Sequence, residues 1–81
     1  MVIWKYPLVL KDEQKIQMPL VAWPLCVQMQ NGQPMLWMKV DPTSESVEST
    51  IYIVGTGHPV PDGRSYVGTF QVPPFVWHVF A

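Results

Sequence analysis

The chain has almost no cysteine and no cluster of metal-binding side chains. Cys26 is the only cysteine among 81 residues, so no disulfide can form within the chain. The remaining soft zinc ligands are His58 and His78, and none of the three shows a CxxC or HxxxH spacing. The sequence therefore excludes an internal disulfide framework and predicts no metal site. A single thiol also fits a reducing compartment.

Charge and long apolar runs are scarce as well. Five basic and six acidic side chains give a net charge of −1 at pH 7, and only 14% of residues are charged. The absence of a basic stripe argues against nucleic acid as a partner, because phosphate neutralisation needs clustered Lys and Arg. No run reaches transmembrane length, and no signal peptide is recognisable. We expect no membrane association and a cytoplasmic location.

Large hydrophobic side chains, in contrast, are abundant. Apolar residues make up 48% of the chain, with four Trp, three Tyr, three Phe and five Met. A single domain spanning residues 1–81 is small and buries only about 60% of the surface that its unfolded form exposes. Without disulfides or metals, self-association is the remaining way to add stability to such a small core. We therefore expect a homo-oligomer, and the alternative is a compact monomer with a crowded core.

Nine prolines interrupt nearly every segment that could form a helix. What recurs between turn signals is short alternation of β-branched and aromatic residues, which predicts an all-β protein. We expect a small antiparallel sandwich or barrel of six to seven short strands. The predicted strands are 3–10, 15–18, 26–30, 34–40, 50–54, 65–72 and 75–80, with Pro7 placing the first at a sheet edge or a bulged position.

The strongest local signal is a hairpin around Asn31-Gly32, because both residues tolerate positive φ. Alternation places Trp37 on the face opposite the core, where an outward Trp is a candidate interface residue. The predicted core residues of this hairpin are Val27, Met29, Leu36, Met38 and Val40.

The second half of the chain gives a less regular pattern. Strands 50–54 and 65–72 are predicted to pair as a second hairpin with a long loop between them. The segment 41–46 is polar, and we expect a mobile, solvated loop there. The last strand, 75–80, follows Pro73-Pro74 and is apolar on both faces except at His78. This pattern predicts burial in a sheet centre or a subunit interface.

The long loop 56–64 carries the leading candidates for chemistry. In one interpretation His58 and Arg64 bind an anionic or phosphorylated ligand, while Gly55 and Gly57 allow its close approach to the backbone. In the other, His58 bonds a backbone carbonyl and Arg64 pairs with Asp62. The glycine pattern matches neither a Walker motif nor a dinucleotide fingerprint.

The other candidate groups are typical of packing. His78 is expected to be a hydrogen-bonded core or interface residue, and Cys26 a small buried hydrophobe. Exposed aromatic rings can stack on a nucleobase, each stack contributing roughly 1–3 kcal/mol. No catalytic motif and no cofactor site is predicted. The predicted ligand-binding residues are His58, Arg64, Thr56, Gly57, Trp37 and Tyr66.

Three segments resemble a family of short, uncharacterised phage and prophage proteins. They are Trp4-Lys5-Tyr6-Pro7-Leu8, the hairpin around Asn31-Gly32, and a Gly-Thr-Gly-His-Pro loop at 55–59, which is the most specific part. The resemblance covers nearly the whole chain. It implies a viral origin and a small accessory protein in the host cytoplasm, without a known catalytic motif.

Three classes of function are our hypotheses. The first is a non-enzymatic, oligomeric protein that binds a nucleotide-type immune signal of the bacterial host and sequesters it. The alternative is a virion-structural or protein-interaction module, for example a direct inhibitor of a host protein, without a small ligand. The third is an enzyme that uses His58 as an acid or base.

Overall fold

The computed structural model describes residues 1–81 and contains seven β-strands and no helix. The all-β prediction and the expected number of strands are therefore confirmed. No helix is present that could cross a membrane. The strands are β1 (Val2–Pro7), β2 (Glu13–Pro19), β3 (Ala22–Gln30), β4 (Gln33–Val40), β5 (Ser46–Gly55), β6 (Tyr66–Val72) and β7 (Phe75–Phe80).

Two antiparallel sheets form a sandwich rather than a closed barrel. The three-stranded sheet has the order β1-β4-β3, and the four-stranded sheet has the order β2-β5-β7-β6. Alternation along each strand turns one face of each sheet toward the other sheet and one face toward solvent. The ten buried hydrophobic residues between the sheets are Leu8, Met18, Val27, Leu36, Met38, Val40, Ile51, Ile53, Phe70 and Val79.

The Asn-Gly hairpin forms as predicted. Asn31 and Gly32 have φ angles of 52° and 77°, which suits the tight turn between β3 and β4. Four of the five predicted core residues of this hairpin are buried. Met29 is the exception: it is 38% exposed, because it lies beside the turn on an edge strand. Its predicted place in the core is wrong.

Prolines mark the edges of the three-stranded sheet. β1 ends at Pro7 rather than running to residue 10, and it is an edge strand as predicted. Beyond Pro7 the chain turns inward, so Leu8 is fully buried and its backbone N–H donates to the carbonyl of Pro34 at 2.9 Å. Pro24 lies at a register shift on β3, the other edge strand.

The two connections that pass between the sheets at one end are hydrogen-bonded to each other. The backbone N–H of Asp41 donates to the carbonyl of Val21, and the N–H of Leu20 donates to the carbonyl of Glu45. The N–H of Val21 donates to Ser44 Oγ at 3.2 Å. The segment 41–46 is mostly exposed, as predicted, and its backbone groups also fasten the β2–β3 connection to the β4–β5 connection, which was not predicted.

The predicted pairing of β5 with β6 is wrong. β7 lies between them, and Phe80 is the register partner of both Tyr52 on β5 and Tyr66 on β6. β5 and β6 therefore run parallel to each other, and the segment 56–65 crosses from one to the other past β7. This crossing positions the loop that carries His58. β7 lies inside the sheet, as predicted, but it is not buried on both faces, since only Val79 is fully buried and Phe75 is exposed.

The two sheets approach most closely where β3 meets β6. A methyl group added to Gly68 would lie only 2.7 Å from Val27 Cγ1. Gly68 follows a register shift in β6 between Tyr66 and Gly68. The absence of a side chain at Gly68 thus sets the spacing of the sandwich at this point.

Candidate functional site

The loop 56–65 is tied to the sheet at both ends. Near its start the backbone N–H of His58 donates to the carbonyl of Gly55 at 3.0 Å. At its end Ser65 and Ala81 exchange two backbone hydrogen bonds, each of 3.0 Å. Within the loop, Gly57 and Gly63 have φ angles of 92° and 69°, a region that disfavours other residues. The loop therefore presents its side chains from a defined backbone path.

The His58 ring lies beside Gly55 and Trp77. A Cβ atom built on Gly55 would be 3.3 Å from the Trp77 ring and 3.7 Å from the His58 ring. Both rings thus occupy the space that a side chain at position 55 would fill. Gly55 is the register partner of Trp77 across the β5–β7 ladder, which fixes the indole next to it.

A cavity of about 410 Å³ opens beside these two rings, between the loop and the β6–β7 turn. Phe75 is 60% exposed there, and its ring centroid is 5.9 Å from that of Trp77 with the planes tilted by 38°. Pro74, which follows a cis peptide bond, also lines this cavity. We call this space the aromatic cavity, and it is defined by His58, Pro74, Phe75 and Trp77.

A smaller cavity of about 190 Å³ lies where the loop meets the outer face of the four-stranded sheet. Four of the predicted ligand-binding residues line it together: Thr56, Gly57, His58 and Tyr66. His78 is part of the same wall, so the structure places both histidines of the chain at this loop.

His78 joins the loop to the sheet by hydrogen bonds at both ring nitrogens. Nε2 lies 2.7 Å from Thr56 Oγ1, and Nδ1 lies 2.9 Å from Thr69 Oγ1. The Tyr66 hydroxyl continues the series, 2.5 Å from Thr69 Oγ1. The expectation of a hydrogen-bonded His78 is confirmed, and these bonds hold the start of the loop against β6 and β7.

Arg64 is not brought together with His58. Its guanidinium carbon lies 5.0 Å from the centroid of the Tyr52 ring, and the residue lines a different cavity, beside Met18 and Ser65. Arg64 therefore stacks on an aromatic ring in place of the alternative pairing with Asp62. Arg64 and His58 therefore line different cavities.

Trp37 lies on the other sheet. It is half-buried on the outer face of β4, where the Lys5 ammonium lies 5.6 Å from its ring centroid. The position opposite the core is the predicted one, but Trp37 and Tyr66 belong to different sheets. Trp37 therefore contributes to no cavity that His58 lines.

Sequence reasoning missed Pro74 and Phe75 as part of a site. Both lie in the run Pro73-Pro74-Phe75, which predicted only a strand boundary. An aromatic residue directly after a diproline turn is the one signal that could have drawn attention to this position.

The aromatic cavity offers groups that can contact a planar ligand. Three rings and a proline offer flat apolar surface, while the His58 imidazole offers a hydrogen bond to a ligand. Thr56 also lines the aromatic cavity, and its Oγ1 lies 2.7 Å from His78 Nε2. No group of three or more His, Cys, Asp or Glu side chains is placed to hold a metal ion.

Comparison with known proteins gives a family but no described relative. Searches of curated proteins and of solved structures found no match. A family model described as a domain of unknown function, DUF7352, matches residues 1–81, which is the whole of the chain. The resemblance to an uncharacterised family is thereby confirmed at this level, and the chain belongs to the DUF7352 family.

Proposed function

We propose that the protein is a non-enzymatic binding protein that holds a nucleotide-type small molecule, with the planar base in the aromatic cavity. The observation that carries this proposal is the exposed Phe75 ring beside Trp77 and His58. The hydrophobic core does not require a phenylalanine that is 60% exposed. A ring bound between loop and turn would cover it.

The size and chemistry of the aromatic cavity support a ring-shaped ligand. Its volume of about 410 Å³ lies in the range of small-molecule sites, roughly 300–1,000 Å³. A nucleobase stacked on Phe75 or Trp77 would gain about 1–3 kcal/mol per stack. His58 supplies the directional contact that purely apolar walls lack.

The aromatic cavity is open in the single chain, which supports the expectation of a homo-oligomer. Phe75, Pro74 and His58 are all exposed at its rim. A second copy placed over this rim would enclose the ligand and bring further groups to its phosphates. Arg64, whose guanidinium forms no ion pair, is a suitable cation for such a contact.

The biological proposal rests on the sequence resemblance. A small accessory protein of phage origin in the host cytoplasm would gain from removing a nucleotide-type immune signal of the bacterial host. Sequestration requires only tight binding. The ligand would be released chemically unchanged.

The experiment is isothermal titration calorimetry with cyclic mononucleotides, cyclic dinucleotides and ADP-ribose derivatives. We expect at least one of them to bind, and Phe75→Ala to weaken it about 5- to 150-fold, the range of one lost stack. Leu10→Ala is the matched control, because Leu10 is 52% exposed and lines none of the cavities at the loop. Mass spectrometry of the released ligand should show its original mass. No binding to any probe, or equal affinity in Phe75→Ala, contradicts the proposal.

The second candidate is a virion-structural or protein-interaction role without a small ligand. It is favoured by large hydrophobic side chains that are exposed far from the aromatic cavity, such as Ile3, Trp23 and Leu25. In that case the ligand panel gives no heat, while substitution of these side chains, and not of Phe75, abolishes co-purification with a virion or a defined host protein.

A further inference from the structure

Strand β5 lacks a neighbour along the first part of one edge. On one side it pairs with β2 over residues 46–52, but on the other side its ladder with β7 covers only residues 52–55. β7 ends at Phe80, and the next residue, Ala81, is hydrogen-bonded to Ser65. Residues 46–51 of β5 therefore have no strand beside them on the side of β7, although β5 is an interior strand of the sheet.

The hydrogen-bond pattern shows which backbone groups of this edge are free. In an antiparallel ladder, successive residues direct their N–H and C=O groups to opposite sides of the strand. The N–H of Ile53 donates to the carbonyl of Asp12 at 3.0 Å, on the side of β2. Odd-numbered residues of β5 thus face β2, and even-numbered residues face β7. The backbone groups of Glu48 and Thr50 therefore face the side on which no strand follows.

A cavity of about 610 Å³ occupies the place of the missing strand. It is lined by residues 47–51 of β5, by Ala81 at the end of β7, and by Arg64 and Ser65 at the start of β6. Because β7 separates β5 from β6, these two strands are two spacings apart, or about 10 Å, which leaves the width of one strand where β7 ends. We call this cavity the slot, and it is defined by residues 47–51 together with Arg64, Ser65 and Ala81.

The slot differs in chemistry between the two faces of the sheet. Met18, Met38 and Ile51 line it from the interior of the sandwich, and each is at most 3% exposed. Because Ile51 points inward, alternation places Glu48 on the outer face, where it is exposed. The register partner of Glu48 on β2 is Gln17, so no cation lies opposite this carboxylate in the sheet.

We propose that the slot binds an extended segment of a partner protein, which adds a strand to β5 in line with β7. Strand addition of this kind obtains affinity from main-chain hydrogen bonds and selectivity from alternate side chains. Glu48 and Thr50 together provide two N–H and two C=O groups, and the two residues lie about 7 Å apart along β5. Two alternate residues of an antiparallel segment have the same spacing, so they can pair with all four groups.

The slot also determines the sequence pattern of the segment. The residue opposite Glu48 points to the outer face, where Lys or Arg complements the carboxylate. The residues opposite Val47 and Ser49 point into the sandwich, toward the buried side chain of Met38, so they are apolar. The expected segment therefore has a basic residue between two apolar residues.

The experiment is NMR spectroscopy of the isotopically labelled chain with three acetylated and amidated pentapeptides, Thr-Val-X-Val-Thr, in which X is Lys, Gln or Glu. We expect the Lys peptide to bind about 2- to 5-fold more tightly than the Gln peptide, the range of an exposed ion pair, and the Glu peptide to bind most weakly. Binding should slow hydrogen exchange of the Glu48 and Thr50 amides at least about tenfold. The amides of Val47 and Ser49, which already face β2, should change less.

Backbone methylation of the Lys peptide separates strand addition from other modes of binding. The N–H of the Lys residue would donate to the carbonyl of Glu48, so its N-methylation should weaken binding at least about fivefold. The N–H of the preceding Val would point away from β5, and its N-methylation is the matched control, with a change of less than about twofold.

Ser49→Trp places a large side chain in the slot and should abolish binding of the Lys peptide. Gln71→Trp is the control, because Gln71 is exposed on β6 and does not line the slot. Circular dichroism verifies that both variants are folded. The slot shares no lining residue with the aromatic cavity, so the nucleotide titrations and the peptide titrations succeed or fail independently.

Three results would overturn the proposal. The first is that none of the three peptides shifts the Glu48 and Thr50 resonances at concentrations up to about 5 mM. The second is binding that leaves the exchange of these two amides unchanged, or that Ser49→Trp does not affect, because the peptide would then lie elsewhere. The third is protection of the same amides as the protein concentration rises without peptide, which would place a second copy of the chain in the slot.

Discussion

Two aromatic residues bury polar atoms that have no hydrogen-bond partner. They are the Tyr6 hydroxyl and the Trp77 indole N–H. Tyr6 packs against the core from β1, and burial raises the pKa of its hydroxyl above the ordinary value of 10.0. An unpaired buried hydroxyl costs free energy on folding, about 1–3 kcal/mol in typical proteins.

Tyr6→Phe should therefore stabilise the protein, by about 1 kcal/mol in urea unfolding at neutral pH. The sign of the pH effect is also fixed. Because the pKa is raised in the folded state, the unfolded chain loses this proton first, so folding stability falls as the pH rises above 10.0. The variant should lose less stability than the wild type over that interval. A less stable Tyr6→Phe protein would show instead that the hydroxyl has a partner.

At the scale of elements, turn signals in the sequence predicted the pairing of strands that are adjacent in the chain, but not the pairing of strands that are distant in it. Asn31-Gly32 fixed the β3–β4 hairpin, because two residues of positive φ determine both turn and register. The β5–β6 pairing could not be excluded from the sequence, since a loop as long as 56–65 carries no register. The insertion of β7 depends on contacts distant in sequence, and its apolar pattern indicated only an interior position.

The candidate site was predictable only in part for the same reason. The loop with Thr56, Gly57 and His58 was identified, and Tyr66 lies beside it. Arg64 and Trp37 have the right chemistry, but alternation and chain order could not show that they point to other surfaces. Phe75 entered the aromatic cavity only because β7 lies next to β5.

The close contact of β3 with β6 gives a prediction for these elements. Gly68→Ala should destabilise the protein by about 1–3 kcal/mol, because the new methyl group would overlap Val27 Cγ1. Val27→Ala removes that atom, so the double variant should lose less stability than the sum of the two single losses. Urea unfolding of all four proteins measures this difference.

Gln71→Ala is the control on the same strand, since Gln71 is exposed on β6, and it should change stability by less than about 0.5 kcal/mol. If the double variant loses as much stability as the two single variants together, the sheets move apart at this point without resistance.

At the scale of the whole molecule, the linked connections at 20–21 and 41–45 join the two sheets at one end. Asp41 organises this link: its carboxylate accepts from Thr43 Oγ1 at 2.6 Å and from the Thr43 backbone N–H at 3.0 Å. These two hydrogen bonds lower the pKa of Asp41 below its ordinary value of 3.8, and the bond from the Thr43 hydroxyl has the larger effect.

Because that pKa is lowered on folding, the contribution of Asp41 is present above pH 3.8 and is lost as the pH falls through the folded-state value. Thr43→Val removes the hydroxyl donor and should lower stability at neutral pH. The difference from the wild type should shrink in acid, as measured by urea unfolding at a series of pH values. Thr43→Ser keeps a hydroxyl and should behave like the wild type. A difference for Thr43→Val that is constant with pH would contradict this account.

The position of β7 also determines when the four-stranded sheet can be completed. β5 and β6 precede β7 in the chain, yet they do not pair with each other, so each keeps an open edge until β7 arrives between them. Open strand edges are templates for pairing with other chains. A nascent or truncated chain that lacks Phe75–Phe80 therefore exposes the unpaired backbone groups of both β5 and β6 at the edges that β7 would cover. Within residues 1–81, β7 follows in the chain both strands with which it pairs, so its loss leaves both of these edges unpaired.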